Sequence, residues 1–173
     1  MIDRVAREKA IQLLVKIFTE GITNYCLEDN WPDGSPDYSL KAISEQLWFY
    51  YDESPEKILV RNVFGPDIIA LIERCIAFLT SDLEYEWPKY SFETENRALI
   101  ERILGLGKRR AAAQWAHFKS AGDIDAWPFL RIEDYRRTLN QIEEDKRRRT
   151  RRKRVSPYIV TKKVAGNDDD GDR

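Results

Sequence analysis

One segment governs what this chain can fold into. From Ile68 to Leu79 the residues Ile68, Ile69, Leu71, Ile72, Cys75, Ile76, Phe78 and Leu79 are all bulky and apolar. Wound into a helix, they leave only a thin strip of Ala70, Glu73, Arg74, Ala77 and Ser81 without apolar bulk. A helix that is apolar almost all round has to be surrounded by protein. It is too short to cross a bilayer, which takes about 20 apolar residues, and no other stretch of the chain is longer. The spacing therefore predicts a mainly α, single helical domain. Five or six helices would pack around Pro66–Leu79. Gly65-Pro66-Asp67 gives that helix its start: proline suits the first turn, and an acid there complements the helix dipole. Cys75 inside it reads as a small buried hydrophobe rather than a reactive thiol.

The surrounding elements follow from apolar periodicity and from breakers. Ala6, Ala10, Leu13, Leu14, Ile17 and Phe18 recur at helical spacing, and Gly21 is a plausible stop. Asn30 to Pro36 is turn chemistry throughout. Asp37 or Ser39 would then cap a helix that turns Leu40, Ile43, Leu47 and Tyr50 or Tyr51 inward. A minor β-hairpin competes with the end of that helix, pairing 47–51 with Ile58-Leu59-Val60. Further helices are expected over Thr94–Leu104, over Lys108–Ser120 with Ala112, Trp115 and Ala116 on one face, and over Ile132 to about Arg154. Gly105 and Gly107 would separate the first two. The last helix carries a stripe of only Tyr135, Leu139 and Ile142. The organisation that results is a globular body over 1–142, a basic helical extension over 143–156, and a flexible acidic tail over 157–173.

Charge divides the chain in the same way. The formal net charge is −1, but Met1–Leu130 holds 15 Lys/Arg against 21 Asp/Glu, and Arg131–Lys163 holds 13 against 5. Such asymmetry says more about partners than the total does. Residues Lys146 to Arg154 are all cationic except Thr150. Arg147, Arg148, Arg149, Arg151, Arg152, Lys153 and Arg154 would ring a helix with positive charge, so none of it belongs to a core. Nucleic acid attracts such a segment through counterion release, and arginine suits phosphate forks and base stacking. Lys108, Arg109 and Arg110 would form a second patch.

Composition removes several enzyme classes. The chain has two cysteines and one histidine. A disulfide scaffold needs more cysteine, and a structural zinc site needs about four Cys/His ligands. A catalytic triad would have to use His117. Gly105-Leu106-Gly107-Lys108 lacks the spacing of a phosphate-binding loop. No catalytic residue, metal ligand set or cofactor is assigned. The start, Met-Ile-Asp-Arg-Val-Ala-Arg-Glu-Lys, is too charged for a signal peptide, so the chain reads as cytoplasmic, or nuclear if its source is eukaryotic.

Three Trp-Pro steps remain: Trp31-Pro32, Trp87-Pro88 and Trp127-Pro128, each preceded closely by acids. The rings either anchor their loops or, if exposed, build a surface for a basic protein. On the second reading Trp31, Glu84, Glu86, Trp87, Asp123, Asp125 and Trp127 form the partner-binding face of a non-enzymatic interaction module, as an inhibitor, immunity-type or adaptor protein would have. It requires at least two of the three rings to be exposed and close together. A nucleic-acid-binding accessory protein using the arginine run is the alternative. A metal-dependent enzyme, with Asp82, Glu84 and Glu86 meeting Asp123 and Asp125, is third.

Overall fold

The structure, a computed structural model, describes residues 1–48, 55–88 and 106–155. Six α-helices lie among them: α1 (Arg4–Thr19), α2 (Asn24–Asn30), α3 (Tyr38–Trp48), α4 (Pro66–Thr80), α5 (Leu106–Ser120) and α6 (Ile132–Val155). Two short strands, β1 (Ile22–Thr23) and β2 (Ile58–Leu59), pair antiparallel, with Ile22 opposite Leu59. No described helix is long and apolar enough to cross a membrane. Contacts divide the chain into a first unit, Met1–Arg136, and a second, Arg137–Arg173.

In the first unit α4 is central, as its composition demands. Leu71, Ile72, Cys75, Ala77, Phe78 and Leu79 are buried. Burial pushes the Cys75 thiol's pKa far up, which keeps it protonated and inert. Helix α1 packs against α4 with Ala10, Leu13, Leu14 and Ile17, and α3 adds Leu40, Ile43 and Leu47. Asp3 caps α1 by accepting the Ala6 N–H at 3.0 Å. At the other end Gly21 takes φ +82°, and its N–H reaches the Lys16 carbonyl at 2.7 Å. A Cβ on Gly21 would lie 2.7 Å from Val60 Cγ1. Gly21→Ala is therefore expected to lower stability by about 1–2 kcal/mol from the left-handed backbone alone, read as a shift in the urea midpoint.

The first helix contains one residue that periodicity does not anticipate. Arg7 is fully buried, on the stripe of small and aliphatic residues. Its Nε donates to Asp37 Oδ2 at 2.5 Å and its Nη2 to Asp37 Oδ1 at 3.3 Å. Nη1 donates to the Ser81 carbonyl and Nη2 to the Leu83 carbonyl, each at 3.0 Å. The guanidinium also stands 5.2 Å from the Phe78 ring centroid. Arg4, one turn earlier, donates to the Leu79 and Ser81 carbonyls and pairs with Asp82. The two arginines thus satisfy carbonyls at the C-terminal end of α4 that no helical N–H can reach. Asp37 meanwhile accepts the Ser39 N–H at 3.1 Å and caps α3.

Several expectations change. Leu47 and Trp48 are helical, and Ile58–Leu59 pairs with Ile22–Thr23. Gly107 lies in the first turn of α5, not in a separating turn. On α5 the buried ring is Phe118, while Trp115 and Ala116 are exposed. The helix expected over Thr94–Leu104, Gly105, and Tyr50 and Tyr51 lie outside the described residues, as does the tail from 156 onward.

Candidate functional site

The three Trp-Pro steps anchor loops. Trp31, Trp87 and Trp127 are 8%, 3% and 6% exposed, and each indole N–H finds an acceptor inside the fold. Trp31 Nε1 donates to the Leu40 carbonyl at 3.1 Å, tying the 31–37 turn to the first turn of α3. Trp87 Nε1 donates to the Phe129 carbonyl at 3.0 Å, and Trp127 Nε1 donates to the Tyr85 hydroxyl at 3.1 Å. The last two bonds run in opposite directions between the same two segments and stitch them together. Trp87 also stacks obliquely on Phe118, with centroids 4.8 Å apart. A buried indole needs such a partner, and here every one has it. The exposed tryptophan face expected for a basic protein partner is therefore absent.

The acids near these rings have separate places. Asp82 pairs with Arg4. Asp123 Oδ2 accepts the Ile132 N–H at 3.0 Å, at the start of α6. Glu84, Glu86 and Asp125 are exposed. Among the described residues no three Asp, Glu, His or Cys side chains are grouped to hold a metal ion. His117 is exposed on α5.

The cationic run is helical, as its i,i+4 acid–base pattern predicts. It lies in the second unit, whose described residues belong to α6. Arg147, Arg148, Arg149 and Arg151 are all exposed. Arg147 pairs with Glu143 at 3.5 Å and Arg148 with Glu144 at 3.6 Å. These are loose pairs between exposed groups, worth little against water and salt. Arg149 and Arg151 make no ion pair with a described residue. Consecutive cations on a helix point about 100° apart, so Lys146 to Arg151 present charge on every side. The side chains of Arg152, Lys153 and Arg154 lie outside the described residues, and so do those of Lys108, Arg109 and Arg110 on α5.

One feature of the first unit was not legible in the sequence. Tyr38 and Glu45 of α3, Tyr85, Trp115 of α5 and Trp127 line a small, shallow groove open to solvent. Tyr38 and Tyr85 have ring centroids 5.7 Å apart, and Tyr85 meets Trp127 edge-on at 6.4 Å. The residues come from four segments with no common spacing, so no sequence pattern announces them. No family model matches the chain, and no curated protein or solved structure is significantly similar to it.

Proposed function

We propose that the chain is a nucleic-acid-binding accessory protein whose contact element is the cationic stretch of α6, Lys146 to Arg154. The observation that carries this reading is the exposure of Arg147, Arg148, Arg149 and Arg151 around one helix, with only loose, exposed ion pairs to two of them. A cylinder charged on every side fits a polyphosphate better than a protein surface, because phosphates can approach from any direction and each contact releases a counterion. Arginine outnumbers lysine in the run six to two. Its planar fork holds a phosphate through two N–H groups at once. The protein-interaction reading retains the exposed carboxylates Glu84, Glu86 and Asp125 but has lost its tryptophan faces to the core.

The test is fluorescence anisotropy of labelled single-stranded RNA and duplex DNA against the full-length chain, at low and moderate salt. With six to ten phosphate contacts, affinity is expected to fall by about 10³–10⁵ between 50 and 200 mM salt. The variant with Arg148→Ala, Arg149→Ala, Arg151→Ala and Arg152→Ala together is expected to flatten the log–log salt slope by about 3–4, at roughly 0.7–0.9 per phosphate contact removed. Its melting temperature should match that of the parent. Absence of binding at low salt, or equal binding by the variant, would overturn the proposal.

A further inference from the structure

Charge surrounds the cationic stretch of α6 with one gap, at Thr150. Helical backbone runs through the whole stretch, as far as Val155. At about 100° per residue, the positions of Arg148 and Arg152 fall within about 20° of the side opposite Thr150. Arg147, Arg151 and Arg154 stand about 40–100° to one side of Thr150, and Lys146, Arg149 and Lys153 stand by the same angles to the other. The one uncharged position thus has a row of three cations on each flank and a pair behind it. The Thr150 hydroxyl donates to the Lys146 carbonyl at 2.9 Å, so it is turned back onto its own helix. Acids stop at Asp145 and do not interrupt the rows.

This arrangement discriminates between nucleic acids. Proteins hold a single strand in a basic groove with aromatic rings on which the bases stack. No aromatic residue follows Tyr135 in α6, and an isolated helix is convex. A duplex supplies the groove instead. The major groove of B-form DNA is about 12 Å wide and admits a helix about 10–12 Å in diameter. The major groove of A-form RNA is deep and too narrow. From Lys146 to Arg154 the helix rises about 12 Å, the length of about three to four base pairs. In such a groove phosphates run along both lips, and base edges line the floor.

We propose that α6 binds duplex DNA by lying in the major groove with Thr150 turned toward solvent. The two flanking rows then meet phosphates of the two strands. The positions of Arg148 and Arg152 face the floor, where a guanidinium fork matches guanine O6 and N7. Arg148 has to leave Glu144, a pair at 3.6 Å between exposed groups that costs little to open. The inference rests on α6 being the contact element for nucleic acid, and it adds the class of nucleic acid and the groove.

The experiment measures fluorescence anisotropy of four labelled probes of one sequence and length against the full-length chain at low salt. They are a short DNA duplex, one of its single strands, the same duplex in RNA, and the DNA duplex carrying glucosylated 5-hydroxymethylcytosine. The sugars of the last probe fill the major groove and leave the charge unchanged. The plain DNA duplex is expected to bind about tenfold more tightly than each of the other three, the size of one good base contact. Thr150→Pro keeps every charge but breaks the helix within the run, and it is expected to hold the duplex no better than the single strand. Equal affinity for the plain and glucosylated duplexes would overturn the proposal. So would tighter binding to the single strand or to RNA, or an unchanged duplex preference in Thr150→Pro. Absence of binding to every probe would overturn the nucleic-acid reading of α6 as well. A steep salt slope shared alike by all four probes would uphold that reading and defeat groove insertion alone.

Discussion

Arg7→Met is expected to cost about 3–5 kcal/mol of folding stability, the usual effect of removing one partner of a buried ion pair. The substitution keeps most of the apolar stem but leaves the Asp37 carboxylate charged, 3% exposed and without a cation. It also leaves the Ser81 and Leu83 carbonyls without the guanidinium that now satisfies them. A domain of this size has only about 5–15 kcal/mol in total, so the variant should lose a large share of it. Urea denaturation measures the loss as a lower midpoint at unchanged slope. The double variant Arg7→Met with Asp37→Ser removes the stranded charge and retains a capping hydroxyl for α3. It is expected to recover a substantial part of the loss, because replacing both partners of a buried pair is far cheaper than replacing one. A single variant within about 1 kcal/mol of the parent would mean that water reaches the site.

The same pair sets an acid limit. Burial pushes the Asp37 pKa up, but hydrogen bonds from Arg7, Ser39 and the Asp3 N–H, with the Arg7 charge, outweigh it and hold the value below the ordinary 3.8. A carboxyl whose pKa is lower in the folded state stabilises the fold fully above its unfolded value. That contribution disappears as pH falls through the folded value. Stability is therefore expected to decline below about pH 4, and the decline should be shallower in the double variant, which lacks the titrating group.

Trp87→Ala is expected to cost a similar amount, about 3–5 kcal/mol, for loss of a large buried ring. The ring fills space beside Phe118, and its N–H satisfies the Phe129 carbonyl. Trp87→Phe separates the two contributions. It keeps an aromatic ring and leaves the buried carbonyl unpaired, at about 1–3 kcal/mol. Thermal melts of both variants give the comparison. If Trp87→Ala proved nearly neutral, the ring would have to be exposed, and the tryptophan surface for a basic partner would return to consideration.

Much of the helical architecture was legible because its signals are local. The apolar run of α4, the Gly65-Pro66-Asp67 start and the Gly21 stop each depend on residues within a turn or two. The pairing of Ile22–Thr23 with Ile58–Leu59 was not legible because two-residue strands have no periodicity, and a long-range backbone match between Ile22 and Leu59 selected the register. Trp115 and Ala116 were expected to share a face of α5, and both are exposed; a helix of alanines and cations leaves its buried face undetermined until neighbours surround it.

The sequence by itself determined the helical class, the central place of Ile68–Leu79 and the separation of the arginine run from any core. Those outcomes follow from how much apolar area or charge a short segment carries, wherever it is placed. Only the tertiary structure decided the roles of Arg7 and of the three tryptophans. An arginine on an apolar stripe and an indole before a proline look alike whether buried or exposed. Their fate depends on whether a distant partner arrives, and here Asp37 lies thirty residues from Arg7, and the Phe129 carbonyl and Tyr85 hydroxyl each forty-two from the indole they accept. Burying a polar group is tolerable only where such a partner waits.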